Sequence, residues 1–229
     1  VHIDARLLAD SKGRHVIAGL SSVMMGQGGM NFEWLGLFES VEAMIADVAA
    51  RHGRLDMLVN NAMSTHYAPI SKLSLDHWRK DFAVNAEAVF TGTRAAMRIM
   101  VPQKSGSIVN IASISGLRAS TLRVAYGTSK AGVIHLTKQQ AAELGEYGIR
   151  ANCVCPGPVR TKLAMAVHTQ DIIDAYHDAI PLNRYGSETE IAEVIAFLCS
   201  DKASYVTGQV IAADGGFEST GVGLPSLRS

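Results

Sequence analysis

Hydrophobic and polar positions along the chain alternate between short apolar runs and longer stretches of helical period. The runs at residues 55–59, 107–112, 149–155 and 206–211 are apolar, and most are rich in β-branched residues, as buried strands are. Between them, apolar residues recur three and four positions apart, as on one face of a helix. This alternation predicts an α/β fold, a single doubly wound domain over residues 1–229 with a mostly parallel sheet.

The same pattern predicts where individual helices begin and end. Long helices are expected over residues 75–100 and 125–146, and Ser187 with Glu190 forms a capping-box pattern at the start of another. Residues 32–38 are predicted to form a strand, followed by a helix that Ser40 caps and Gly53 ends. Residues 162–182 are predicted to be less regular.

Composition narrows the function classes. The 21 basic and 21 acidic residues balance, so nothing favours nucleic acid or an acidic membrane surface. Hydrophobic residues make up 48% of the chain, but no apolar run approaches the length of about 18 residues that a spanning helix needs. Cys153, Cys155 and Cys199 are odd in number and lack metal-ligand partners, which indicates buried thiols in a reducing compartment such as the cytoplasm.

The strongest chemical signal lies between residues 105 and 137. Ser113 stands where the strand at 107–112 ends, and Tyr126 and Lys130 are four positions apart on one helix face. A free tyrosine titrates near ~10, and a lysine ammonium one turn away is expected to lower that pKa. A serine hydroxyl nearby can hold a carbonyl or alcohol oxygen against the phenol. The three residues therefore predict proton transfer at a C–OH or C=O carbon.

Ser113, Tyr126 and Lys130 resemble the Ser-Tyr-Lys triad of the short-chain dehydrogenases/reductases. The resemblance extends to Asn60-Asn61-Ala62, to Asn85, to Cys155-Pro156-Gly157 and to the final Asp214-Gly215-Gly216, and so covers about residues 40–217. It implies hydride transfer between NAD or NADP and a secondary alcohol or ketone. Tyr126 would be the general acid/base and Lys130 its activator and ribose ligand. Ser113 would hold the substrate oxygen, and Asn85 a water that relays protons to Lys130.

The resemblance also implies a set of cofactor contacts. Asn60 would lie near the adenosine ribose, the Pro-Gly turn would border the nicotinamide, and the Val159 backbone and Thr161 would contact its carboxamide. Asn60 and Asn85 could at the same time bond the main chain around them. The full implied set is Asn60, Ala62, Tyr126, Lys130, Pro156, Gly157, Val159 and Thr161, with no metal.

Three residues around the expected substrate site remain to be assigned. In the loop at 119–124, Arg123 is the only strong candidate to face the substrate, although an arginine there commonly points into solvent. By resemblance, residues 162–182 would form a lid over the substrate. His168 and His177 in it lack metal-ligand spacing and are expected at the surface.

The first forty residues depart from the family. Only fifty-nine residues precede Asn60, so the usual strand, glycine-rich turn and helix that bind pyrophosphate do not fit. In one alignment residues 15–18 are the second strand and the glycine turn is missing. In the other, residues 16–22 are a decayed version of the glycine turn, with Val23, Met24 and Met25 where glycines are needed. We favour the first.

Met63, in place of the glycine of the family's NNAG motif, is a further departure on the same side of the site. Two explanations are open for the missing turn: the sequence belongs to a longer chain, which we favour, or the protein binds NAD(P) poorly. In either case residues near Ile3 or at 20–29 are expected to be irregular.

Two other functions and the quaternary structure complete the expectations. A cofactor-free binding or subunit protein of this fold is one alternative. A lyase of the halohydrin dehalogenase kind is less favoured, because those relatives carry Arg where Lys130 stands. The apolar faces of the helices at 75–100 and 125–146 exceed what one sheet covers, which predicts a homo-oligomer. By resemblance it would be a homodimer or homotetramer, acting on a small alcohol or ketone.

Overall fold

The computed structural model describes residues 16–18 and 34–221, with side chains from residue 41 onward. The expectations for residue Ile3 and for residues 20–29 lie outside the described residues. So do the glycine-turn positions Val23, Met24 and Met25.

Helices and strands alternate along the described chain. In order, the elements are β1 (Val16–Ala18), α1 (Trp34–His52), β2 (Met57–Asn60), α2 (Leu75–Phe82), a π-helical turn (Ala83–Glu87), α3 (Ala88–Gln103), β3 (Gly106–Ile111), α4 (Val124–Leu144), β4 (Ile149–Pro156), α5 (Lys162–Val167), α6 (Gln170–Ala179), α7 (Glu188–Cys199) and β5 (Val210–Ala213).

The strands form one sheet in the order β1-β2-β3-β4-β5, and every pair is parallel. Alternate residues of each strand face opposite sides, because the side-chain period of a strand is two. Met57 and Val59 pack with α7 on one side of the sheet, whereas Leu58 packs with α1 and α3 on the other. Helices therefore cover both faces, which confirms the predicted doubly wound α/β fold with its parallel sheet.

Residues 34–38 lie in a helix, so the strand predicted at 32–38 is wrong there. Ser40 accordingly lies inside α1 and does not cap it. A short apolar run cannot be assigned by periodicity alone, and this one continues into the apolar positions Val41 and Ile45 at helical spacing. The predicted end is confirmed, since Gly53 has a positive φ of 70° and its N–H donates to the Ala49 carbonyl at 2.8 Å.

The position of β1 decides between the two N-terminal alignments. Val16 pairs with Met57 and Ala18 with Val59, so β1 lies directly beside the strand that ends at Asn60. In the doubly wound strand order 3-2-1-4-5-6, the strand that ends at Asn60 corresponds to the fourth strand, and the first strand is its neighbour. The favoured alignment, with residues 15–18 as the second strand, is therefore wrong, and the alternative fits the pairing.

Three further boundaries differ from expectation. The helix predicted at 75–100 is interrupted by the π-helical turn, and the segment at 162–182 contains α5 and α6 instead of an irregular stretch. The last strand covers residues 210–213 and not 206–211. The capping box at Ser187 and Glu190 is confirmed, with both reciprocal hydrogen bonds formed.

Candidate active site

The loop after β3 places Ser113 at the carboxyl edge of the sheet. Ser113 continues the strand in an extended conformation (φ −169°, ψ 155°) before a 3₁₀ turn at Ile114–Gly116. Its hydroxyl oxygen accepts a hydrogen bond from the Ser115 N–H at 3.1 Å, which caps that turn. The hydroxyl proton remains available for another acceptor. A buried serine is thus held at the edge where parallel sheets bind ligands.

The first turns of α4 bring Tyr126 and Lys130 to the same edge. Tyr126 is 7% exposed and Lys130 only 2%. The Lys130 Nζ donates to the Ile111 carbonyl at 2.8 Å and lies 5.9 Å from the centroid of the Tyr126 ring. The Ser113 hydroxyl lies close enough to the Tyr126 phenol to affect its pKa. The three residues of the predicted triad are therefore brought together.

Burial dominates the electrostatics of this triad. It raises the pKa of Tyr126, against smaller lowering effects of the Ser113 hydroxyl and of the Arg123 charge. Burial lowers the pKa of Lys130 to about 8. The expectation that Lys130 lowers the tyrosine pKa is therefore wrong for this state. The desolvated phenol stays protonated at neutral pH, the form that can donate a proton to a ketone oxygen.

Two glycines allow the loop after β3 to pack directly on α4. A Cβ atom on Gly116 would lie 2.7 Å from the Lys130 carbonyl carbon and 2.8 Å from the Ala131 nitrogen. A Cβ on Gly127 would lie 2.8 Å from the Ser115 carbonyl oxygen. These close backbone contacts set the distance between Ser113 and Tyr126. Sequence analysis did not assign them a role, although both glycines lie inside the triad segment.

Asn85 lies in the π-helical turn, fully buried. Its side-chain oxygen accepts from the Ser64 N–H at 2.8 Å, and its amide donates to the Ser64 carbonyl and to the Ser129 hydroxyl. Ser129 donates in turn to the Tyr126 carbonyl at 2.7 Å. Asn85 thus ties the loop after β2 to the start of α4, which is the main-chain role that the sequence left open. Ser64 and Ser129 were missed, because single serines carry no local signal.

Asn60 ends β2 at the same edge, and Ala62 follows two residues later. The Asn60 amide donates to the Asn110 side chain of β3 at 2.8 Å, so it also bridges two strands. Asn110 bonds onward to Thr137 and Gln140 of α4 at 2.9 and 2.7 Å. This buried polar network connects the predicted ribose contact to the helix that carries the triad.

The turn after β4 completes the edge. Gly157 lies against β5, where a Cβ atom would be 2.6 Å from the Asp214 Cβ, so only glycine fits. Val159 is buried and forms a bridge to Gly186. The Thr161 hydroxyl accepts from the Ala164 N–H and caps α5, which leaves its proton free to donate. With Pro156 at the end of β4, the predicted nicotinamide contacts therefore follow the strand beside Ser113.

The residues predicted at the surface of the 162–182 segment form an aromatic cluster instead. The ring of His168 packs on Tyr176 and Tyr185, and its Nδ1 is 2.9 Å from the Tyr185 hydroxyl. Tyr176 contacts Phe217, and His177 packs edge-on against Tyr185. Both histidines are half-buried in this cluster and so lie only partly at the surface, because the chain after the last strand brings Phe217 back against the two helices.

Three further observations concern the cysteines, metal-ligand groups and long apolar helices. All three cysteines are free and buried. Across residues 16–18 and 34–221 there is no group of His, Cys, Asp and Glu side chains arranged to hold a metal ion. In the same part of the chain, no helix is both long and apolar enough to cross a membrane.

Comparison with known proteins decides the family. Residues 37–218 match the family described as enoyl-(acyl carrier protein) reductase. FabG of Thermotoga maritima, a 3-oxoacyl-(acyl-carrier-protein) reductase, is 39% identical over 178 residues, which cover 78% of this chain and 72% of FabG. This chain belongs to the short-chain dehydrogenase/reductase family.

Other members of the family agree in sequence and structure. The acetoacetyl-CoA reductase of an Acinetobacter strain is 38% identical over 78% of this chain and 71% of its own length. The structure of a gluconate 5-dehydrogenase from Burkholderia cenocepacia, in complex with NADP and tartrate, has a TM-score of 0.77 and 34% identity. That match covers 80% of this chain and 72% of the other. The protein is thus an NAD(P)-dependent oxidoreductase, which confirms the first of the three functions considered.

The described donors fit such a cofactor. The Lys130 ammonium donates one hydrogen bond, to the Ile111 carbonyl, which leaves two N–H groups for other acceptors such as a ribose. Thr161 keeps a hydroxyl proton, as a carboxamide contact needs. The residues that would meet the pyrophosphate lie outside the described part of the chain, so the expected weakness of phosphate binding stays a prediction.

Proposed function

We propose that the protein reduces a ketone to a secondary alcohol, and catalyses the reverse reaction, with Tyr126 as the general acid and base. The observation that supports these roles is the buried contact between Ser113 and Tyr126, with the Lys130 Nζ 5.9 Å from the tyrosine ring. When bound, the nicotinamide ring supplies or accepts the hydride.

Each triad residue has a distinct role in this proposal. The Ser113 hydroxyl donates a hydrogen bond to the substrate oxygen and holds it against the phenol. Tyr126 gives its proton to that oxygen as the ketone is reduced, and takes it back in the oxidation. Lys130 donates to the cofactor ribose, and its charge stabilises the phenolate that reduction leaves behind. Asn85 keeps α4 in place. In this proposal it also holds a water molecule that returns protons to Lys130.

Cofactor contacts are proposed at Asn60, Ala62, Pro156, Gly157, Val159 and Thr161, in addition to Tyr126 and Lys130. The names of the relatives support a ketone with an acyl or carboxyl group close by. They include reductases of 3-oxoacyl and acetoacetyl thioesters and a gluconate 5-dehydrogenase. NAD and NADP remain equal candidates for the coenzyme.

The test is oxidation of NADPH and of NADH by the purified protein with acetoacetyl-CoA and with small keto acids. Tyr126→Phe should lower kcat by around 10²-fold or more, because it removes the transferred proton and little else. Tyr147→Phe is the matched control, since Tyr147 lies beyond the end of α4 and is partly exposed. If the Tyr126→Phe enzyme kept the wild-type rate, as the Tyr147→Phe enzyme should, the assignment of Tyr126 as general acid and base would be refuted.

We also propose a homodimer or homotetramer in the cytoplasm. The second apolar face of α3 and α4 is smaller than the sequence suggested, because the core already buries Val89, Ala95, Ala96 and Val133. Phe90 is nevertheless 54% exposed on α3, where an interface would cover it. Light scattering should give a multiple of the 24.4 kDa chain mass, and Phe90→Asp should lower the number of copies in the particle. A wild-type protein that scatters as a single chain would exclude the oligomer.

A further inference from the structure

Arg123 lies beside the proposed catalytic tyrosine. It immediately precedes α4, and its guanidinium carbon is 5.7 Å from the centroid of the Tyr126 ring and 5.1 Å from that of Tyr67. The neighbouring backbone is also held, because Ala68 donates to the Leu122 carbonyl and bridges to Arg123. Two aromatic rings and this bridge hold the half-buried Arg123 side chain beside the site.

The second observation concerns the charge of Arg123, which forms no ion pair in the described part of the chain. Among the described residues, no carboxylate lies within ion-pair distance of Arg123. The segments 61–75, 105–142 and 156–170, which contribute to the site, contain no Asp or Glu, and Asp81, which contacts the first of them, accepts hydrogen bonds from Ser64 and His66. His168, whose pKa the Arg123 charge helps to lower after burial, faces it from the aromatic cluster. In the described part of the chain, Arg123 therefore places a positive charge beside the tyrosine without an ion-pair partner.

An arginine side chain held in this way can bind an anionic oxygen group. Contacts over aromatic rings engage the face of the guanidinium and leave N–H groups at its edge free to donate. Those donors match the spacing of carboxylate or phosphate oxygens, and such paired hydrogen bonds are among the strongest that side chains make. A ketone oxygen at the Tyr126 phenol and an anion at Arg123 would lie a few carbon–carbon bonds apart, within one small molecule.

We infer that Arg123 binds an anionic oxygen group of the substrate, a carboxylate or a phosphate, and so selects short keto acids and hydroxy acids over neutral ketones. This inference rests on the proposed ketone reduction and adds the substrate class. It assigns Arg123 a specificity role that is separate from proton transfer.

The test compares three matched ketones. Acetoacetate carries a carboxylate, 2-oxopropylphosphonate a phosphonate and methyl acetoacetate no charge. In the wild-type enzyme the anions should have the higher kcat/KM, and the better of the two identifies the source of the anion. Arg123→Gln should lower kcat/KM for the anions by about 10- to 100-fold, mainly through KM, and leave the ester nearly unchanged. Arg123→Lys should restore part of the loss, because it keeps the charge but not the paired donors.

Arg118→Gln is the matched control in the same loop. Arg118 is already engaged by the Phe217 carbonyl and ring, so its loss should not change the ratio of anion to ester. An Arg123→Gln enzyme that loses anion and ester activity equally, with its pH profile moved to higher pH, would show that Arg123 acts on Tyr126. That result would overturn the inference, as would a wild-type enzyme without preference for the anions.

Direct binding separates this inference from the proposed reaction. Calorimetric titration with acetoacetate and with its methyl ester, in the presence and absence of NADP⁺, requires no turnover. Tighter binding of the anion that Arg123→Gln abolishes supports the inference even if no ketone is reduced, in which case only the proposed function fails. Equal binding of anion and ester, or binding of neither, contradicts it.

Discussion

Lys130 is a cation buried among uncharged groups, and its substitution by methionine gives a quantitative test of the site's electrostatics. The side chain is 2% exposed, and its one hydrogen-bond acceptor is the Ile111 carbonyl. Burial lowers its pKa from the 10.5 of a solvated lysine to about 8. Between these two values the unfolded chain binds a proton that the folded chain has released, so stability should rise with pH in this window.

The size of this effect follows from the two pKa values. At neutral pH, Lys130 carries its proton in both the folded and the unfolded chain. Relative to that pH, the titration of Lys130 should raise the unfolding free energy of the wild-type protein by about 1.4 kcal/mol at pH 9 and by about 2.5 kcal/mol at pH 10. Lys130→Met cannot release a proton and gains nothing from this source. Titrating groups that do not interact with Lys130 contribute equally to both proteins and cancel in the difference.

The assay is urea unfolding of cofactor-free protein followed by tryptophan fluorescence, at pH 7, 8, 9 and 10 and one protein concentration. The difference in unfolding free energy between wild type and Lys130→Met should increase with pH in favour of the wild type. Lys138→Met is the control, because Lys138 is exposed on the same helix and should give a flat difference. A flat curve for Lys130→Met would mean that Lys130 stays protonated when buried, and the reasoning would be refuted.

The remaining predictions concern packing around the site. Gly116→Ala should cost about 1–3 kcal/mol in urea unfolding, because its Cβ meets the α4 backbone, whereas Gly132→Ala, with nothing within 4 Å, should be neutral or stabilising. Equal effects of the two would mean that the 3₁₀ turn moves away without cost. Asn85→Ala should cost at least about 2 kcal/mol, since both Ser64 main-chain groups lose their partner; a near-neutral result would argue against this bridge. Ser187→Ala should cost about 1 kcal/mol through loss of the capping box, and unchanged stability would show that the cap is dispensable.

Local rules were sufficient for the fold class and for the triad. Tyr126 and Lys130 share a helix face because a helix has 3.6 residues per turn, and Ser113 lies at the sheet edge because an apolar β-branched run ends there. The capping box at Ser187 and the helix end at Gly53 are equally local, since each depends on residues within four positions. Such features can be predicted from the sequence because the interacting groups are neighbours along the chain.

Other features required the tertiary structure. Residues 34–38 are apolar enough for a strand or a helix, and only packing against the sheet selects α1. The position of β1 beside β2 is a pairing across about forty residues, which periodicity does not encode. The contacts of Arg123 with Tyr67, and of His168 with Tyr185, likewise join segments distant in sequence.

The triad residues were determined by the sequence, whereas their pKa values depend on the tertiary structure. The sequence determined that a lysine lies one turn from a tyrosine, and this spacing alone suggested a lowered tyrosine pKa. The direction of the shift depends on desolvation, which is set by every group that excludes water from the two side chains. Because β4, α4 and the loop after β3 enclose both residues, burial raises the pKa of Tyr126 and lowers that of Lys130. The identity of the catalytic groups was thus a property of the sequence, and their protonation states a property of the fold.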